Sequence, residues 1–188
     1  MSQTVQDSPF TLLDTRTAWT CPWYVIRQDD LQLPDGSAGE YNVITKNDAV
    51  WVVPVLEDGQ VVLIHNYRHT LGEWCWELPA GTIKDGQTPL QAAQAELHEE
   101  IGGEGGDWQL MIRAATMNGL GSEIGHFYLA SGITLGDCAH ESTEVMTIHC
   151  VPLPVAIAMA RNGDINDAQS IMALLLAEPL LAGQFDEN

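Results

Sequence analysis

Basic residues are scarce in this sequence: 7 Lys and Arg stand against 26 Asp and Glu, a formal net charge of −19 at pH 7. Such a balance repels nucleic-acid backbones and anionic lipid headgroups, so neither nucleic acid nor a membrane is expected as a partner. Cysteine is sparse as well. The four present (Cys21, Cys75, Cys138, Cys150) show no C-x-x-C spacing, and a 188-residue chain with 45% apolar positions does not need disulfide staples. They are expected to be reduced core residues of a cytoplasmic protein. No stretch approaches the roughly 18 uninterrupted apolar residues of a membrane span, and MSQTVQDSPF at the N-terminus lacks a basic segment followed by an apolar run. Export and membrane insertion are therefore not expected. Among the six histidines only His65 and His69 stand at H-x-x-x-H spacing, and no closely spaced cysteine pair accompanies them, so a structural zinc is not expected.

What is present is enough apolar sequence for one sizeable core. From residue 10 to about residue 55, short β-rich runs (WYVIR, then YNVITKNDAVWVVPV) are separated by the turn signal LPDGSAG. They predict a small antiparallel sheet over residues 1–50, leading into a main domain over 51–188. Asp58-Gly59 divides VWVVPV from VVLIHNYR and predicts a hairpin. Three further strand-like runs follow later (110–117, 126–133, 145–153), and two helical patterns close the chain at about 154–162 and 167–178. The alternation has no βαβ repeat, so an α+β fold or αβα sandwich with a mixed sheet fits best.

The most informative segment is EWCWELPAGTIKDGQTPLQAAQAELHEEIGGEGG, residues 73–106. Thr88 is suited to cap a helix, Pro89 to its first position, Gln91 to a capping box, and Gly102-Gly103 to its end. On the predicted helix, Leu90, Ala93, Leu97 and Ile101 form an apolar stripe. Glu96 and Glu100 lie one turn apart on a flank of that stripe, with Glu99 further toward solvent. Three carboxylates so close repel one another and need solvent or cations as compensation. A hard divalent cation with oxygen ligands would supply it; a solvated acidic helix face would satisfy E-x-x-E-E equally well. The turn Pro79-Ala80-Gly81 precedes the helix, and a backbone carbonyl near Ala80 is a further candidate ligand.

Taken together, these residues resemble the Nudix box, G-x5-E-x7-R-E-U-x-E-E-x-G-U with U aliphatic. Gly81, Glu96, Leu97, Glu99, Glu100 and Gly102 match in register. HNYRHTLGEWCWELPAGTIKDGQ and VPLPVAIAMARNGDINDAQSIMALLLAE are similar to the ADP-ribose and nucleotide-sugar pyrophosphatase branch, extending the resemblance from about Trp19 to Glu178. Two departures from the pattern matter: Gln87 replaces the first glutamate and Ala95 the arginine. An arginine at 95 could hold Glu99 at i,i+4 spacing, and that contact is expected to be missing.

The resemblance implies a Nudix αβα sandwich and a homodimer in which the N-terminal sheet completes the partner's site. It also implies Mg²⁺ (or Mn²⁺) held by Glu96, Glu99, Glu100 and the Ala80 carbonyl, and hydrolysis of a diphosphate in a nucleoside-diphosphate-linked small molecule. A loop carboxylate then serves as base, with Glu144 the better aligned candidate and Glu141 the second. Arg68 either reaches a phosphate or forms an ordinary ion pair. Glu77 either contacts substrate or acts as a structural acid. Ser122 and Glu123 match a sugar-pocket pair or form a plain turn. Trp19, Trp23 and Trp51 either stack on a nucleobase or belong to a core or interface. The alternative to an enzyme is a ligand sensor of the same fold acting through a protein partner.

Overall fold

In a computed structural model of the protein, residues 8–136 and 145–182 are described. The chain forms two compact units, one of Met1–Asn47 with Met117–Glu123, the other of Asp48–Thr116 with Ile124–Asn188.

The first unit holds β1 (Thr11–Thr20), β2 (Val25–Gln32) and β3 (Ala38–Thr45), antiparallel in that order. Gly36, at φ 84°, allows the tight β2–β3 turn, and Asp35 accepts hydrogen bonds from the Ser37 backbone N–H and hydroxyl. All ten residues of β1 are exposed, Leu12, Leu13 and Trp19 among them. Residues 117–123 join this unit through Ile44, whose N–H donates to Leu120 O (2.8 Å) and whose carbonyl accepts from Ser122 N (3.0 Å).

The second unit contains β4 (Ala49–Leu56), β5 (Gln60–Arg68), β6 (Glu73–Glu77), β7 (Ala80–Thr82), α1 (Pro89–Ile101), β8 (Gly103–Ala115), β9 (Ile124–Leu135), β10 (Met146–Pro152), α2 (Leu153–Asn162) and α3 (Ala168–Leu181). Its sheet runs β10-β5-β4-β9-β8, with β6 added to β5 and β7 to β4; β4 and β9 are parallel, which makes the sheet mixed. Alternation along three strands sorts the core into two layers. Val50, Val52, Val62, Ile64, Tyr128 and Ala130 pack with Ala92, Ala93, Leu97 and Ile101 of α1. Val53, Val55, Val61, Leu63, Phe127 and Leu129 pack with α2 and α3. Burial on both faces explains why β4 reads as the unbroken apolar run VWVVPV. Each fully buried Val, Leu or Ile contributes roughly 1.5–3 kcal/mol by apolar transfer, so this three-layer packing is the main source of stability.

The hairpin at Asp58-Gly59 forms as expected, with Gly59 at φ 81° and Val55 opposite Val61. Helix α1 has the expected ends. Thr88 Oγ1 accepts from Gln91 N, Gln91 Oε1 accepts from Thr88 N, and Gly102 closes the helix at φ 64°. Its buried stripe differs by one residue: Ala92 is inside and Leu90 is 37% exposed, because α1 rests on its Ala92-Ala93 edge. The cysteine expectation needs a similar correction. Cys75 is buried, but Cys21 is only half-buried and Cys150 is exposed on β10; all three are free thiols, and Cys138 lies outside the described residues. No helix among the described residues is long and apolar enough to cross a membrane.

Candidate active site

The turn between β6 and β7 is fixed from three sides. Pro79 O accepts from Val52 N of the central strand (2.9 Å), and Ala80 and Gly81 pair with Trp51 and Val50. Leu78 N donates to Ser170 Oγ of α3 (2.9 Å), and that hydroxyl donates to Asp167, the α3 N-cap (2.5 Å). A backbone so held is a firm platform for the helix that follows.

Two carboxylates of α1 converge on this platform. Glu100 Oε2 accepts the Ala80 N–H at 3.0 Å. Glu96 fills the space that a side chain at residue 81 would need: a Cβ added to Gly81 would stand 2.1 Å from Glu96 Cδ. Both glutamates are half-buried. Glu99 is exposed, with Lys84 Nζ 3.5 Å from its Oε2. Ala95 can make no contact of the kind an arginine there would make, but Glu99 has a basic neighbour all the same, from the preceding loop. Gln87 also has a structural task, since its Oε1 accepts the Lys84 N–H (2.9 Å) and its own N–H donates to Lys84 O (3.0 Å).

Whether this arrangement suits a metal follows from its donors. Among the described residues, no three His, Cys, Asp or Glu side chains are grouped tightly enough to enclose an ion by themselves. Glu96 and Glu100 at the turn instead offer an open set of hard oxygens. That fits Mg²⁺, which binds through one or two carboxylates and keeps its remaining positions for water and phosphate.

Arg68 of β5 reaches along the strand to Glu77 of β6, although in register Arg68 lies opposite Glu73 and Glu77 opposite Ile64. Arg68 Nε donates to Glu77 Oε1 (2.7 Å) and Nη2 to Oε2 (2.5 Å), a bidentate pair in which Glu77 is buried and Arg68 half-exposed. The ion-pair reading of Arg68 and the structural-acid reading of Glu77 therefore describe the contacts seen. The Glu77 hydrogen bonds hold the Arg68 guanidinium above its usual pKa against the opposing effect of burial, and the charges of Glu77, Glu100 and Asp167 add to this. Arg68 thus lies within the field of Glu100.

The remaining candidates are placed as follows. Trp51 is half-buried and stacks on Phe127 (5.1 Å between ring centroids, 17° between planes), which occupies one face of its indole. In the first unit, Trp23 is 77% exposed, and half-exposed Trp19 contacts Tyr24 at 5.5 Å. In the same unit Glu123 is buried and ion-paired with Lys46, while Ser122 N–H bonds Ile44 O. Glu141 and Glu144 lie outside the described residues. Lys84 escaped the sequence reading; a basic residue in the loop just ahead of an acidic helix was the signal available.

The NUDIX domain family pattern matches residues 45–170, which include the turn, α1 and the Arg68–Glu77 pair. The chain belongs to the NUDIX family. It is 29% identical over 178 residues to an ADP-ribose pyrophosphatase of Mycobacterium tuberculosis, covering 93% of this chain and 86% of that protein. It is 28% identical over 151 residues to a methanol dehydrogenase activator of Bacillus methanolicus, covering 79% and 82%. A crystal structure of an ADP compounds hydrolase superposes with a TM-score of 0.84 at 23% identity, over 97% of this chain and 98% of the other, which confirms the α+β Nudix fold. Within the family the chain falls in the ADP-ribose pyrophosphatase branch.

Proposed function

We propose that this Nudix protein hydrolyses the diphosphate bond of ADP-ribose or a related nucleoside diphosphate sugar in a Mg²⁺-dependent reaction (Mn²⁺ substituting), releasing a nucleoside monophosphate and a sugar phosphate. The observation that carries the reading is the convergence of Glu96 and Glu100 on the turn at Ala80 and Gly81. When bound there, the cation would neutralise the diphosphate and lower the pKa of a coordinated water. Glu96 and Glu100 would hold it, with Glu99 and the Ala80 carbonyl completing the protein's share. Arg68 uses Nε and Nη2 on Glu77, and Glu77 thereby aims the guanidinium whose other edge can take a phosphate oxygen. Attack by water forms one P–O bond and breaks the bridging one; the proton goes to a carboxylate, assigned to Glu144 with Glu141 second. Ser122, Glu123, Trp23 and Trp51 are assigned to the sugar and the base.

A second copy of the chain is the proposed partner. An edge strand exposed along its whole length, with Leu12, Leu13 and Trp19 uncovered, invites pairing with another chain.

The test is incubation with Mg²⁺ and ADP-ribose, GDP-mannose, ADP-glucose, NADH or diadenosine polyphosphates, followed by assay of phosphatase-susceptible products. Release from at least one, with Glu100→Gln reducing it severely, supports hydrolysis. Tight binding of one compound without release from any would overturn it in favour of a ligand sensor acting through a protein partner, a reading that the activator among the relatives keeps in view.

A further inference from the structure

The acidic flank of α1 carries Glu96, Glu99 and Glu100, and the helix offers no lysine or arginine beside them: position 95 is Ala and position 98 is His. A cation that meets Glu99 comes from outside the helix, with Lys84 Nζ 3.5 Å from Glu99 Oε2, while Arg68 lies within the field of Glu100. Its starting point is fixed. The Lys84 N–H donates to the Gln87 side chain, the Gln87 N–H returns to Lys84 O, and the next residue, Thr88, caps α1 through its box with Gln91. This clasp ties the backbone from which Lys84 projects to the first turn of the helix that presents Glu99.

The geometry points to Lys84 as the positioning residue for Glu99, with Gln87 as the clasp that places it. A lysine from the loop thus performs the task that Ala95 cannot perform from within the helix. An exposed pair at this distance adds little to folding. Its effect lies in the orientation of Glu99, whose carboxylate is otherwise driven outward by repulsion from Glu96 and Glu100. With Lys84 in place, Glu99 stays beside the loop, ready to join the oxygen set at the turn. The Gln87 side-chain oxygen serves the clasp, as a glutamate oxygen there could, and the clasp places beside Glu99 a charge that Ala95 does not carry.

The inference rests on the pyrophosphatase reading, and its test separates the two. The metal-free intact chain is titrated with MgCl₂ alone by calorimetry, as parent, K84M, K84R, E99Q, K84M/E99Q and K84M/A95R. K84M should weaken Mg²⁺ binding about tenfold, the low end for residues that orient metal ligands, with thermal unfolding of the metal-free protein unchanged. K84R should stay close to the parent, A95R should restore binding to K84M, and K84M should add nothing to E99Q. Equal or tighter binding by K84M would overturn the proposal, because it would make Lys84 a mere competing charge; so would a K84M loss that persists in the E99Q background. If the parent itself takes up no Mg²⁺, the pyrophosphatase reading fails and the inference with it.

Discussion

Gly81 and Glu96 compete for one volume: a Cβ at Gly81 would stand 2.3 and 2.4 Å from the two Glu96 carboxylate oxygens. The glycine is required by this close approach, since its backbone is in no left-handed conformation. Gly81→Ala should push the flexible end of Glu96 aside, costing about 1 kcal/mol, the low end for overpacking. Displacing a carboxylate by about 1 Å should lower kcat/KM about 100-fold. Thermal unfolding and ADP-ribose kinetics check the two halves; parental kcat/KM in the variant would show that Glu96 does not need the space.

The Arg68–Glu77 pair predicts an asymmetry. Glu77 is 6% exposed, whereas the Arg68 side chain is 48% exposed. Arg68→Ala therefore leaves a buried carboxylate without its fork of donors and should cost about 1–3 kcal/mol. Glu77→Gln leaves an arginine that water can reach and should cost less. Arg68→Lys keeps the charge but cannot reproduce the two parallel bonds, so it should fall between. Urea unfolding of the three variants orders them, and a larger loss for Glu77→Gln than for Arg68→Ala would refute this account.

Ser170 is fully buried and couples α3 to the segment just before the turn. Ser170→Ala should leave the Leu78 N–H without a partner, a loss of about 1–3 kcal/mol. The same change frees one of the three anchors of the Pro79-Ala80-Gly81 platform, so kcat should fall as well as the melting temperature. A variant that melts lower but turns over normally would confine Ser170 to stability.

How far these features could be read beforehand depended on the range of the interaction. Helix α1 was legible from Thr88 to Gly102 because its caps are local chemistry within a few residues. The hairpin at Asp58-Gly59 was legible for the same reason. Strand β1 was not: TLLDTRTAWT mixes polar and apolar residues without a buried face, and in the structure it has none. The start of β8 was hidden by its glycines: Gly103 read as part of a helix stop, yet Gly103 and Gly105 pair with Leu135 and Ile133 of β9. At the site, Glu96, Glu99 and Glu100 were visible as a spacing pattern. The Lys84–Glu99 contact was not, because a loop residue reaches fifteen positions along the chain only once the Gln87 clasp has set its direction.

Acid should act on the first unit through Asp29. Its carboxylate accepts from Thr15 Oγ1 (2.6 Å) and from Arg27 Nε and Nη2 (3.0 and 2.9 Å), and these bonds, that of Thr15 first, hold its pKa below the ordinary value. A depressed folded pKa means that the unfolded chain binds the proton more readily. The contribution of Asp29 is therefore fully present above the unfolded value of about 4 and is lost as pH falls through the lower folded value. Asp29→Asn removes the titration, so hydrogen exchange of β1–β3 amides should differ between parent and variant at neutral pH. The difference should close as the solution is acidified below about pH 4. Thr15→Val should reproduce part of the variant's loss at neutral pH, since it deletes the bond that lowers the pKa most. A gap that stayed constant down to about pH 2, well below the ordinary carboxylate value, would mean that Asp29 stabilises the sheet by packing, without its charge.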